Sequence, residues 1–155
     1  MAFGVRQLSY RRCAMQSTSM FHNQSGIFPF EVLHSPLETV ALTREGLSGE
    51  VVGSLAAELG ISKTELYSFL PVSIRTIQRK APAALDKDLS DHLVQIARVV
   101  ARGIDVFGAK GKALHWLKSP CYTLDQATPL SLLDTFTGVG IVLDELTRIE
   151  YGVGI

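Results

Sequence analysis

Residues 113–153 read ALHWLKSPCYTLDQATPLSLLDTFTGVGIVLDELTRIEYGV, and four local signals succeed one another in this stretch. Ala113, Trp116 and Leu117 stand at i, i+3 and i+4, which places the only tryptophan on a buried helix face. Ser119-Pro120-Cys121-Tyr122 is a polar turn where proline forbids further helix. Thr128-Pro129 restarts a helix, with threonine as N-cap and proline at the first helical position, where its missing N–H costs nothing. Gly138 and Gly140 predict a break. Val139, Val142, Leu143, Leu146 and Ile149 then recur at helical spacing as far as Gly152, a good C-terminal stop.

Upstream, the chain reads as further short helices. Ser35-Pro36-Leu37-Glu38 predicts a capping box, and Gly46 ends the helix it opens. Ser48 caps a helix whose Val52, Leu55, Ala56 and Leu59 share one face, and Gly60 ends it. Ser62 and Glu65 repeat the capping box, Leu66 and Leu70 form a short stripe, and Pro71 closes the helix. Ser73 caps a further helix. Two short helices, 63–69 and 74–80, thus lie a few residues apart, the spacing of a helix-turn-helix. Ile74 and Ile77 are expected to face inward, leaving Arg75, Thr76, Gln78 and Arg79 outward, with Lys80 at the end. Arginine can bond guanine through two hydrogen bonds, glutamine can read adenine, and threonine can touch a thymine methyl or a phosphate. No acid lies between Glu65 and Asp86, so this face is positive. A solvated basic helix, or a dimerisation element, would read the same way. Asp86 can cap a long helix through Leu89, Leu93, Ile96, Ala97 and Val100 that reaches Gly103 or Gly108. Apolar surface around 99–107 and in the C-terminal part points to self-association.

The ordered set Ala113, Trp116, Leu117, Thr128, Pro129, Leu130, Leu133, Gly138, Val142, Leu146, Arg148, Ile149, Gly152 and Val153 resembles the toxin-binding module of the Xre/MbcA/ParS antitoxin family. Ser73, Arg75, Thr76, Ile77, Arg79 and Lys80 match the signature of the same family's helix-turn-helix. The resemblance covers roughly residues 35 to 155. It implies an all-α chain in three parts: an arm at 1–34, poorly ordered or extended, a DNA-binding body with its connecting helix at 35–108, and a small helical toxin-binding domain at 109–155. The implied partner is a RES-type toxin that depletes cellular NAD. The implied second task is repression of the chain's own operon, through Ser73, Arg75, Thr76, Gln78, Arg79 and Lys80, as a homodimer on paired half-sites. Tyr122, Leu130, Arg148, Tyr151, Gly152, Val153, Gly154 and Ile155 are the expected toxin contacts, with Phe136 either a further anchor or core. The tail 151–155 either occupies the toxin's dinucleotide cleft or is a frayed terminus. The rival function is a stand-alone helix-turn-helix regulator whose C-terminal part dimerises or binds a ligand.

Composition narrows the alternatives. The 155 residues are 46% hydrophobic and 19% charged with zero formal net charge. That excludes general disorder and leaves no global attraction to nucleic acid or membrane. Cys13 and Cys121 make neither a disulfide framework nor a zinc site, which fits a reducing cytosol. Residues 1–30 hold Arg6, Arg11 and Arg12 and no acid, yet lack the apolar core of a secretory signal. Phe28, Phe30 and Val32 alternate, as in a short extended segment. His22, His34, His92 and His115 are scattered without metal-ligand spacing. Asp144 and Glu145 point apart on one helix, and Cys121 has no basic partner in sequence. The sequence predicts neither an enzyme nor a cofactor or metal.

Overall fold

A computed structural model describes residues 28–80 and 84–153. Seven α-helices run along the described chain: α1 (Pro36–Glu45), α2 (Val51–Leu59), α3 (Lys63–Ser68), α4 (Ile74–Lys80), α5 (Lys87–Phe107), α6 (Lys110–Lys118) and α7 (Phe136–Glu150). Three 3-10 turns, Phe30–His34, Tyr122–Leu124 and Pro129–Leu132, join them. The only β pairing among the described residues is an isolated bridge between Ser48 and Ala84. The chain is all-α, as the sequence indicates.

Helix α5 is the axis. Its 21 residues span roughly 30 Å, and α1, α2, α6, α7 and the first 3-10 turn all pack on it. The expected stripe of Leu89, Leu93, Ile96, Ala97 and Val100 is buried. So are Ser90, His92, Val94 and Val99, because a helix enclosed by neighbours must be apolar round most of its circumference. Ser90 satisfies two backbone groups: its hydroxyl accepts from Leu47 N at 2.9 Å and donates to Leu85 O at 3.4 Å. The apolar core runs without interruption from Phe28 to Leu146. A salt bridge and a hydrogen bond add to it: Lys110 pairs with Glu58 at 2.6 Å, and Lys118 donates to Gly60 O at 2.7 Å, tying α6 to the end of α2. Val99 and Val100 are fully buried in this core, whereas Ile104, Val106 and Phe107 at the end of α5 pack against it only partly buried.

Several local expectations are corrected. Phe28, Phe30 and Val32 are not an extended segment; Phe30–His34 is a 3-10 turn that buries Val32, and Phe28 beside it is buried with its N–H donating to Ser54 Oγ at 2.8 Å. Ser35 makes no side-chain cap. The turn before it runs straight into α1, and the Thr39 hydroxyl bonds Val32 O and Ser35 O instead. Ser48 accepts from Glu50 N, but α2 begins only at Val51. Ile74 is 39% exposed while Ile77 is fully buried, so one isoleucine, not two, anchors α4; Ile74 is its first residue and overhangs the core. Trp116 is only partly buried, beside fully buried Ala113 and Leu117.

The largest correction lies between Thr128 and Gly140. Thr128 does cap, accepting from Ser131 N at 3.3 Å, but it opens only a single 3-10 turn. In that geometry residues three apart eclipse, and Leu130 and Leu133 are both buried. Thr135 then takes an extended conformation and caps α7 by accepting from Gly138 N at 3.0 Å. Gly138 and Gly140 therefore sit inside α7 and break nothing. A Cβ at Gly138 would lie 2.8 Å from the Leu132 carbonyl carbon and closer still to its oxygen. That glycine lets the helix seat on the turn.

Candidate functional site: a basic helix and a C-terminal groove

Helix α3 is capped by Ser62, whose Oγ accepts from Glu65 N at 3.1 Å, and it ends at Ser68 as the chain approaches Pro71. Residues 69–73 turn the chain into α4. Ser73 Oγ accepts from Thr76 N at 3.3 Å and lies 2.9 Å from Thr76 Oγ1. Both hydroxyls, expected to meet DNA, are thus engaged in starting α4. Leu66 and Ile77 hold the pair of helices on the core with no exposed surface. Arg75, Gln78 and Arg79 are exposed, and neither arginine makes an ion pair among the described residues. The Lys80 side chain lies outside the described residues. This geometry leaves two guanidinium groups and an amide on one short, rigidly seated helix.

The C-terminal module forms a groove of about 420 Å³ between the loop after α6 and the end of α7, lined among others by Trp116, Tyr122, Glu145, Arg148, Gly152 and Val153. Trp116 also lies 5.6 Å from Phe107, centroid to centroid, and bounds a second depression on its other side. Tyr122 is 77% exposed, Tyr151 73% and Val153 64%. Helix α7 ends in paired capping bonds, Gly152 N to Ile149 O at 3.2 Å and Val153 N to Arg148 O at 2.9 Å. Gly152 has φ +62, a left-handed conformation that a side chain would penalise. Two residues earlier, Glu150 forms a salt bridge with Arg102 of α5. The hydrogen bond to Glu150 raises the Arg102 pKa above its ordinary value. The start of the tail is thereby fixed in direction as far as Val153. Gly154 and Ile155 lie outside the described residues.

The groove brings together Tyr122, Arg148, Gly152 and Val153, four of the expected toxin contacts. Leu130 does not join them: it is 6% exposed and belongs to the core, because it lies on the inner side of the 3-10 turn. Phe136 is 51% exposed and lies 5.0 Å from the His92 ring. Two residues of functional interest leave little trace in the sequence. Glu145 is buried, accepts from Thr123 Oγ1 at 2.7 Å and pairs with Arg148 at 3.3 Å. Its i, i+3 spacing to Arg148 is a signal; the threonine partner lies 22 positions away and gives none. His92, one of the scattered histidines, is buried in the core, where Nε2 bonds Leu133 O at 2.7 Å and Nδ1 has no partner among the described residues. Among the described residues no cluster of side chains could hold a metal ion, and no helix is long and apolar enough to cross a membrane.

Comparison with known proteins finds two domain matches in succession along the chain. Residues 38–98 match the antitoxin Xre-like helix-turn-helix domain, and residues 102–152 match the antitoxin Xre/MbcA/ParS C-terminal toxin-binding domain. The junction between the two matches falls within α5. The chain is 32% identical over 111 residues to Antitoxin Xre of Yersinia enterocolitica serotype O:8 / biotype 1B, covering 70% of this chain and 75% of that protein. It is 30% identical over 116 residues to Antitoxin Xre of Photorhabdus laumondii subsp. laumondii, covering 73% and 78%. A third relative, Antitoxin Xre of Pseudomonas putida, is 35% identical over 79 residues, covering 51% of this chain and 48% of its own. With its short basic helix pair, its aromatic C-terminal groove and these matches, the chain belongs to the Xre antitoxin family, a non-enzymatic family whose members carry a helix-turn-helix and a toxin-binding C-terminal domain.

Proposed function

We propose that this antitoxin neutralises a RES-type, NAD-consuming toxin by laying the groove face of its C-terminal module over the toxin's active-site cleft. The observation that supports this most is the convergence of exposed Tyr122 and Val153 with Arg148 in one groove at the end of α7, where Tyr151 is exposed as well. Aromatic and arginine side chains are the usual anchors of tight interfaces. The tail, aimed by the Gly152 cap and the Arg102–Glu150 salt bridge, enters the cleft and occupies the space a dinucleotide needs. Leu130 takes no direct part. The division that goes with this reading is an arm at 1–34, whose last residues pack on the core through Phe28 and Val32, a DNA-binding body at 35–108 and a toxin-binding domain at 109–155.

The second role is operator binding in the cytoplasm through Arg75, Gln78, Arg79 and Lys80, with Ser73 and Thr76 shaping the helix start. One copy of α4 offers few phosphate contacts, so useful affinity requires a homodimer on paired half-sites. The test is NAD consumption by the toxin encoded beside this chain, titrated with the full chain and with a chain ending at Glu150. The full chain stops NAD loss at a fixed stoichiometry, and the shortened chain, still folded, inhibits much less. Equal inhibition by both would refute the tail mechanism.

A further inference from the structure

We propose that Glu145 is the positioning residue of the toxin-facing surface, holding the Tyr122 loop and Arg148 in place from a buried site; this rests on the reading that this face meets the toxin. Residues 119–128 form a loop closed on itself. Cys121 N donates to Ala127 O at 3.0 Å, Gln126 N to Cys121 O at 3.0 Å, and Leu124 N to Cys121 O at 3.1 Å. Asp125 and Gln126 both have positive φ, 53 and 65, a conformation that L side chains adopt at a cost and that rarely occurs twice in succession outside glycine. The loop spends its backbone bonds internally and presents Tyr122 outward, so something else must fix its position on the body.

The one hydrogen bond between this loop and α7, among the described residues, is Thr123 Oγ1 to Glu145 Oε1 at 2.7 Å. Since the threonine proton goes to the carboxylate, the Cys121 thiol, 3.1 Å from Thr123 Oγ1, is the donor in the adjoining contact. The other carboxylate oxygen takes Arg148 Nη1 at 3.3 Å. Glu145 is 8% exposed, and its neighbours on the inner side of α7, Val142 and Leu146, are apolar and fully buried. A leucine there would avoid the desolvation of a charge. A carboxylate held at such a position, with one oxygen on the loop and the other on an arginine, supports arrangement more than stability. It fixes two of the groove's exposed side chains relative to each other before any partner arrives, which lowers the ordering cost of binding.

The experiment uses the full chain and the purified toxin encoded beside it, with variants Thr123→Val, Thr123→Ser, Glu145→Gln and Tyr122→Ala. Toxin affinity is measured by calorimetry, fold by thermal melting, and the free groove by emission of Trp116, the only tryptophan and part of the groove wall. Valine matches threonine in shape without the hydroxyl, so Thr123→Val should melt near the parent temperature. It should shift Trp116 emission and bind about five- to tenfold more weakly. Thr123→Ser keeps the hydroxyl and restores both readouts. Glu145→Gln keeps an acceptor for Thr123 but not the charge for Arg148, and its affinity falls between the two. Tyr122→Ala weakens binding if this face meets the toxin. Weakening by Tyr122→Ala with parental binding by Thr123→Val overturns the role of Glu145 alone. Parental binding by both overturns the reading of the face and the inference with it. A lower melting temperature with parental affinity would make Glu145 a stability residue and also overturn the proposal.

Discussion

Gly138 and Gly140 lie two positions apart in α7, and replacing each by alanine should move stability in opposite directions. Either change removes the flexibility of glycine from a helix, a gain of about 1 kcal/mol. At Gly140 nothing stands within 4 Å of a new Cβ, so the gain is kept. At Gly138 the Cβ meets backbone: the Leu132 carbonyl carbon at 2.8 Å, with Thr135 Oγ1 at 3.0 Å. A carbonyl cannot rotate away as a side chain can, so the turn or the helix must move. Overpacking of this kind costs about 3 kcal/mol at the upper end of its usual range, and displacing Thr135 weakens a cap worth about 1 kcal/mol. The net expectation is a loss of about 3 kcal/mol for Gly138→Ala against a gain of about 1 kcal/mol for Gly140→Ala. For a domain of this size the difference corresponds to roughly 8–16 °C in melting temperature. Denaturant unfolding followed by circular dichroism reads both variants on one scale. If Gly138→Ala proved as stable as Gly140→Ala, the seating of α7 on the Pro129–Leu132 turn would be wrong.

Three further variants probe the core, the tail and the basic helix. His92→Ala removes a fully buried ring and its bond to Leu133 O, and should cost about 3 kcal/mol in the same unfolding assay. Arg102→Ala breaks a salt bridge whose side chains are 32% and 38% exposed; it should cost less than about 1 kcal/mol, yet weaken toxin inhibition by freeing the end of α7. Arg75→Ala combined with Arg79→Ala should abolish retardation of operator DNA and flatten its salt dependence, while toxin inhibition by the same protein is unchanged.

Much of the fold is legible because its signals are local. Ser62, Ser73 and Thr128 cap as their spacing predicts, and Gly46, Gly60 and Gly108 end helices with positive φ. The α5 stripe is readable because burial on one helix face repeats with the helix period. The misleading features are non-local. Gly138 and Gly140 look like a break because glycine disfavours helix, but Gly138 is set by the approach of Leu132, which no periodicity records. Ile74 and Ile77 have the same spacing as a buried pair, and only the edge of the core separates them. Around the groove, exposed Tyr122 and Tyr151 stand out as aromatics in polar surroundings. Leu130, one apolar residue in a leucine-rich turn, carries no local mark that separates core from contact surface. Glu145 escapes notice because its partner comes from a loop that folds back across α7.

Silencing of a toxin encoded beside this chain, as proposed, has a direct readout. The direct measurement is growth of cells expressing the neighbouring gene, alone and together with this chain, with the two products then purified by a tag on one. Growth should be arrested without the chain and restored with it, and the two products should purify together as a complex. Cells that die at the same rate with and without the chain would contradict the proposed silencing.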